Sequence, residues 1–160
     1  MRAAAVAEQL EPRGVLVGNY NALDFVPRFQ VPAAYPILIY LLSNQEPGGR
    51  IIATHEELAE ALGMNRTLIT RGMQHLGFAN MVFRRKAGIY QLNPMISGFR
   101  TYEQQRDAIA AMAPEDRFDF PDCEERYLLR VAEHEAAKKS RTRRSQVADL
   151  TERRLRSIQS

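Results

Sequence analysis

Arg66, Thr67, Thr70, Arg71 and Gln74 lie within nine residues of one another, separated by steps of one, three and four. On a helix of about 3.6 residues per turn, such steps collect side chains along one side. Their shared chemistry is hydrogen bonding to base edges and phosphates. Arginine can donate two parallel bonds to guanine, glutamine can pair with adenine, and threonine can bond a phosphate or touch a thymine methyl. An ordinary solvated helix face has a similar composition, so the surroundings have to decide between the two readings.

Charge distribution favours the first. The chain of 160 residues is only +3 overall, yet residues 61–102 contain no Asp or Glu, while Arg66, Arg71, Arg84, Arg85, Lys86 and Arg100 lie inside that window. A surface that approaches a phosphate backbone gains from losing carboxylates as well as from adding cations, because each carboxylate repels the polyanion. A second basic run begins at Lys138. Residues 138–160 hold eight Lys and Arg against Asp149 and Glu152, a net +6, which leaves −3 on residues 1–137. Affinity for a polyanion therefore has to come from local patches.

Catalytic chemistry is poorly represented. His55, His75 and His134 are scattered, Cys123 is the lone cysteine, and no His-x-x-x-His, Cys-x-x-Cys, glycine-rich phosphate loop or nucleophile motif occurs. A nicking tyrosine of the rolling-circle type would be paired with a His-x-His metal site, and the chain has none. The expectation is no enzyme, no cofactor and no metal, with the six methionines as core filler.

The elements that would position the basic residues are legible. Thr54-His55-Glu56-Glu57 is a capping box, in which the threonine oxygen accepts from the third backbone N–H and the glutamate reaches back to the cap. A helix follows with Leu58, Ala59, Ala61 and Leu62 on its apolar side, and Gly63 ends it. Asn65 caps a second helix that runs through Leu76 and is expected to stop at Gly77, with Ile69, Gly72 and Leu76 on the buried stripe. Small Ala59, the turn at Gly63 and Ile69 ten residues after Ala59 have the spacing of a helix-turn-helix over about residues 54–77.

Then the period changes from helix to strand. Met81 to Lys86, Ala87-Gly88, and Ile89 to Leu92 read as a β-hairpin, a wing carrying Arg84, Arg85 and Lys86 at its tip beside the recognition helix. Charged edge residues that block aggregation would look alike. Upstream, residues 1–12 read as an Ala-rich helix or frayed end, Gly14 to Tyr20 as a strand or extended arm, Ala33 to Ser43 as a buried helix, Glu46-Pro47-Gly48-Gly49 as a loop and Ile51-Ile52-Ala53 as a brief strand. Downstream, Tyr102 to Met112 and Glu124 to Lys139 read as helices, joined by a loop from Pro114 to Pro121 in which Phe118 and Phe120 can pack.

The run Ile52-Ala53-Thr54 through Leu62-Gly63-Met64-Asn65-Arg66-Thr67 to Gln74-His75-Leu76, followed by Gly88-Ile89-Tyr90-Gln91-Leu92-Asn93-Pro94 and Gly98, resembles the RepL-like plasmid replication proteins. The likeness covers roughly residues 35–110. It implies binding at a plasmid origin or maintenance locus. The wider likeness to winged-helix proteins, MarR-type regulators included, implies action at a promoter instead, and the sequence leaves the two open.

The expected fold is therefore α+β, mainly α with a small β-hairpin wing: a winged helix-turn-helix flanked by N- and C-terminal helices. Residues 1–30 form an arm, 31–112 the winged helix and 113–160 a helical extension with a basic tail. The expected partner is double-stranded DNA, contacted by Asn65, Arg66, Thr67, Thr70, Arg71 and Gln74, by the wing residues Arg84, Arg85 and Lys86, and at the helix cap by Thr54. A homodimer joined through flanking helices would set two recognition helices about one DNA turn apart. The alternative is a winged-helix protein-interaction module that leaves DNA alone. Lys138 to Arg144 either meets DNA backbone or is a solvated helix. No apolar run reaches the roughly 20 residues that span a bilayer, Glu8 interrupts any secretory core, and a single cysteine suits a reducing compartment, so a cytoplasmic, nucleoid-associated protein without membrane contact is expected.

Overall fold

The structure, a computed structural model, describes residues 17–18, 24–119 and 121–158, with side chains placed for 24–119 and 121–148. The chain divides into two compact units, Met1–Glu124 and Glu125–Ser160, so that residues 113–124 group with the winged-helix-like part. The expected helix at residues 1–12 and the side chain of Phe120 lie outside the described residues, as does most of the Gly14 to Tyr20 arm.

In the first unit, α1 (Ala34–Asn44) buries Ala34, Ile37, Leu38 and Leu41. These recur at three, four and seven residues, the stripe an amphipathic helix turns toward a core. Pro36 sits in its first turn, where a missing N–H removes no helical bond. β2 (Arg50–Ile52) leads to α2 (His55–Leu62) and α3 (Arg66–Phe78). β3 (Val82–Lys86) and β4 (Ile89–Leu92) form the hairpin. β2, β4 and β3 make one antiparallel sheet in that order, with Arg50 opposite Gln91 and Val82 opposite Leu92. Ile37 and Leu41 of α1, Leu58 of α2, Ile69 and Leu76 of α3, Met81 and Leu92 are all below 2% exposed and fill the centre. The arrangement is an α+β, winged-helix-like fold.

Three local features depart from expectation. α3 does not stop at Gly77 but continues to Phe78, and the left-handed residue that follows is Asn80 at φ 57°. Asparagine tolerates that conformation because its side chain can bond locally, and Asn80 Nδ2 donates to the Glu115 carbonyl at 2.8 Å. Gly72 lies on the buried stripe, but the element it meets closely is α1 and not its sequence neighbour α2: a Cβ there would collide with Ile37 Cδ1 and lie 3.4 Å from the Ala33 and Ala34 backbone. Ala61, placed on the apolar side of α2, is exposed, and Leu58 is the one fully buried residue of that helix.

A second sheet was not anticipated. β1 (Val17–Gly18) pairs antiparallel with β5 (Ser97–Phe99). Gly98 adopts φ 124°, and a Cβ on it would fall 2.7 Å from the Gly49 nitrogen, so only glycine allows the two backbone turns to touch. α4 (Tyr102–Ala110) follows, capped by Thr101, whose hydroxyl accepts from Gln104 N–H at 3.2 Å. A 3-10 turn covers Pro114–Asp116, and Phe118 behind it is buried.

The helix expected to end at Lys139 runs on as α5 (Cys123–Ile158), 36 residues without a break. Neither Gly nor Pro occurs after Pro121, so nothing in the backbone stops it. Among the described residues no helix is long and apolar enough to cross a membrane.

Candidate nucleic-acid interface

The capping box forms in full. Glu57 N–H donates to Thr54 Oγ1 at 3.2 Å, and Thr54 N–H donates to Glu57 Oε2 at 2.6 Å. The threonine hydroxyl also donates to that carboxylate at 2.9 Å. These bonds hold the Glu57 carboxyl below its ordinary range, the backbone N–H contributing most. Gly63 turns the chain at φ 62°, and Asn65 Oδ1 accepts from Leu68 N–H at 2.9 Å to start α3. Thr54 and Asn65 are thus committed first to building the helix pair; what Asn65 still offers a ligand is its amide Nδ2.

α3 turns Arg66, Thr67, Arg71 and Gln74 to solvent, with Thr70 half-buried among them, and buries Ile69, Gly72, Met73, His75 and Leu76. His75, in the last turn of α3, lies inside, its ring 5.6 Å from Phe78 and edge-on. The face read from spacing alone is therefore a real, continuous exposed face. One carboxylate does reach it. Glu56, outside the acid-free window in sequence, meets Arg66 Nη1 at 2.8 Å across the helix-turn-helix.

The hairpin separates its three cations. Its register shifts between Arg84 and Lys86, so Arg85 sits at a bulge. Arg84 joins Val82 in lining a groove between α3 and the hairpin, a space of about 260 Å³ also bounded by His55, Thr70, Met73, Gln74, Gly77 and Tyr90. The Arg85 guanidinium lies 5.7 Å from the centre of the Phe83 ring, a cation–π contact that fixes an otherwise long, mobile side chain. Lys86 leads into the turn, where Gly88 takes φ 69°. The wing tip foreseen as one basic cluster thus offers Arg84 on the groove side and Arg85 stacked on Phe83.

Sequence reasoning missed the bonds that join these pieces. Thr70 Oγ1 donates to the Arg66 carbonyl at 3.0 Å and lies 2.9 Å from His55 Nδ1. The Tyr90 hydroxyl lies 2.9 Å from His55 Nε2. With Thr70's single proton given to Arg66, the ring must donate from Nδ1 and accept from Tyr90 at Nε2, which is the neutral tautomer. Burial, then the Arg66 and Arg84 charges, lower the His55 pKa, and burial raises that of Tyr90, so both groups keep these roles. The first residue of α2, the middle of α3 and the second wing strand are fastened through one imidazole.

A second junction holds the base of the wing. Asn93 is fully buried and donates to the Asn80 carbonyl at 2.8 Å and the Asp116 carbonyl at 3.0 Å, while its oxygen accepts from Met95 N–H at 2.9 Å. Gln105 of α4 donates to the Pro94 carbonyl at 2.9 Å. The Asn-Pro step in the sequence was visible; the backbone groups it gathers were not.

The family model described as Firmicute plasmid replication protein (RepL) matches residues 30–113, slightly more than half of the chain. The chain belongs to the RepL family. The RepL match spans α1 through α4 with the hairpin, so it takes in the α2–α3 helix pair, the His55 junction and the Asn93 junction apart from its Asp116 carbonyl, and it supports a role connected with plasmid replication. No curated protein and no solved structure matches the chain. Among the described residues of this RepL protein, no group of three or more His, Cys, Asp or Glu is placed to hold a metal ion.

Proposed function

We propose that the protein binds double-stranded DNA in a sequence-dependent way, with α3 in the major groove and the β3–β4 hairpin on the adjoining backbone, as a plasmid replication or maintenance factor that recruits and does not nick. The observation that carries this reading is the exposed face of Arg66, Thr67, Thr70, Arg71 and Gln74, flanked by Arg84 across the groove and held at a fixed angle by His55 and Tyr90. A B-DNA major groove about 12 Å wide admits one helix. Arg71 and Gln74, three apart and unpaired by any carboxylate among the described residues, suit guanine and adenine; Thr67, Asn65 Nδ2, Arg85 and Lys86 suit phosphates. Family membership favours an origin or maintenance locus over a promoter.

A face built for a protein partner has no reason to exclude carboxylates from residues 61–102, and this weighs against the protein-docking alternative. A palindromic target read by a twofold dimer is part of the proposal. Selection of bound duplexes from a randomised pool tests it. Wild-type protein is expected to enrich one motif, and Arg71→Ala or Gln74→Ala to relax one position of it each, at about 1–3 kcal/mol for each base no longer read. Enrichment of no motif would overturn the reading.

A further inference from the structure

Within α5, residues 136–148 carry Lys138, Lys139, Arg141, Arg143 and Arg144 and no acid, a net +5. Every residue from Glu135 to Ala148 is exposed. None of the five cations pairs with a carboxylate among the described residues. Helices in proteins owe most of their stability to packing of one face, and a helix polar all round relies instead on opposite charges at three and four residues. Within 136–148 those spacings are occupied by like charges, Lys138 with Arg141, Arg141 with Arg144, and Lys139 with Arg143, while Glu135 just before the segment is the one acid three and four residues from Lys138 and Lys139. Like charges so placed destabilise a helix. The segment therefore carries a repulsion that a polyanion would remove.

The angular arrangement narrows the polyanion. At about 100° per residue, Lys138, Arg141 and Arg144 form one stripe and Lys139 with Arg143 another, centred on opposite sides of the helix, about 180° apart. A single phosphate strand, or one anionic face, would meet only one of them. A helix about 10–12 Å across, lying in a groove about 12 Å wide, has a phosphate strand on each side. The major groove of A-form RNA is too deep and narrow for this. We propose that residues 138–144 of α5 are a second, sequence-independent binding element that enters the major groove of B-form DNA and bonds phosphates on both walls. It extends the duplex-DNA reading above but uses none of the α3 or hairpin residues.

The test uses the full chain and two fluorescent duplexes of roughly three helical turns, one from around its own gene and one shuffled to the same composition, titrated from low to high salt. Replacing all five cations by Gln is expected to weaken binding to both duplexes equally and to lower the salt slope by about 4.5, near 0.9 for each phosphate no longer neutralised. Because all five are exposed and repel one another, the thermal midpoint should hold or rise and not fall, which separates weaker binding from failed folding. Two partial variants test the two-sided geometry. Lys139→Gln with Arg143→Gln should remove nearly 2 units of slope, and Lys138→Gln with Arg141→Gln and Arg144→Gln nearly 3.

An unchanged slope in the five-fold variant overturns the proposal, as does a loss confined to one stripe or tighter binding to an RNA duplex of the same sequence. If wild type fails to distinguish the two duplexes while the slope still falls, the α3 reading fails and this one stands. If the duplexes are distinguished and the slope is unmoved, the reverse holds.

Discussion

His55 Nε2 stands 2.9 Å from the Tyr90 hydroxyl, and through that contact the start of α2 is fastened to the second strand of the wing. Tyr90→Phe keeps the buried ring and deletes the donor. The expected loss is about 1 kcal/mol of stability, read from denaturant midpoints. DNA affinity should fall further than stability accounts for, since the wing loses its fixed angle to α3.

The same imidazole gives stability a pH dependence. Its folded-state pKa lies below 6.5, because burial and then Arg66 and Arg84 disfavour the cation. The unfolded chain therefore binds the proton first as pH falls. His55 contributes its full share above about pH 6.5 and loses it as pH drops from there through the folded value. His55→Gln should flatten the stability curve in that window, and an unchanged curve would show that the ring is not held neutral.

Gly72→Ala sets two effects against each other. Helix propensity gains about 1 kcal/mol, while the new methyl collides with Ile37, which is wholly buried and backed by the α1 backbone. Overpacking of a filled core costs about 1–3 kcal/mol. A net loss of stability is expected in thermal or denaturant unfolding, and a gain would mean that α1 moves aside freely.

Asn93→Asp replaces the amide nitrogen with an oxygen. Two carbonyls, those of Asn80 and Asp116, lose their donor and face a carboxylate instead. Buried groups left without partners cost about 1–3 kcal/mol each. A loss of at least about 2 kcal/mol is expected near neutral pH by urea unfolding. The loss should be smaller in acid, where the protonated carboxyl of the variant can donate once.

Glu56→Gln tests the carboxylate on the proposed DNA face. The Arg66–Glu56 pair is more than half exposed on both sides, so its removal should change stability by less than about 1 kcal/mol. Affinity for DNA should rise, because a free Arg66 gains a phosphate and a repulsive charge is gone. Weaker binding would show that Glu56 is needed to aim Arg66.

Much of this was legible in the chain because the signals are local. Thr54 and Glu57, Asn65, Gly63 and Gly88 act on neighbours within a few residues, and their roles follow from type and spacing. What escaped is long-range. Tyr90 reaches His55 across 35 positions, Asn93 reaches Asp116 across 23, and Gly72 needs α1 rather than its sequence neighbour α2. Strand register was equally hidden: the bulge at Arg85, which divides the wing cations, depends on pairing that three adjacent basic residues do not reveal. The full length of α5 was readable from the lack of Gly and Pro, and dense charge obscured it.

The most direct test of the central claim is an anisotropy titration of purified protein against duplex DNA from around its own gene, beside a shuffled duplex of equal composition, at about 0.15 M salt. Specific binding is expected to favour the native duplex at least about 10³-fold, in the range typical of specific over non-specific complexes. It should lose most of that margin in Arg71→Ala combined with Gln74→Ala. Equal affinity for the two duplexes, unchanged by that pair of substitutions, would contradict it.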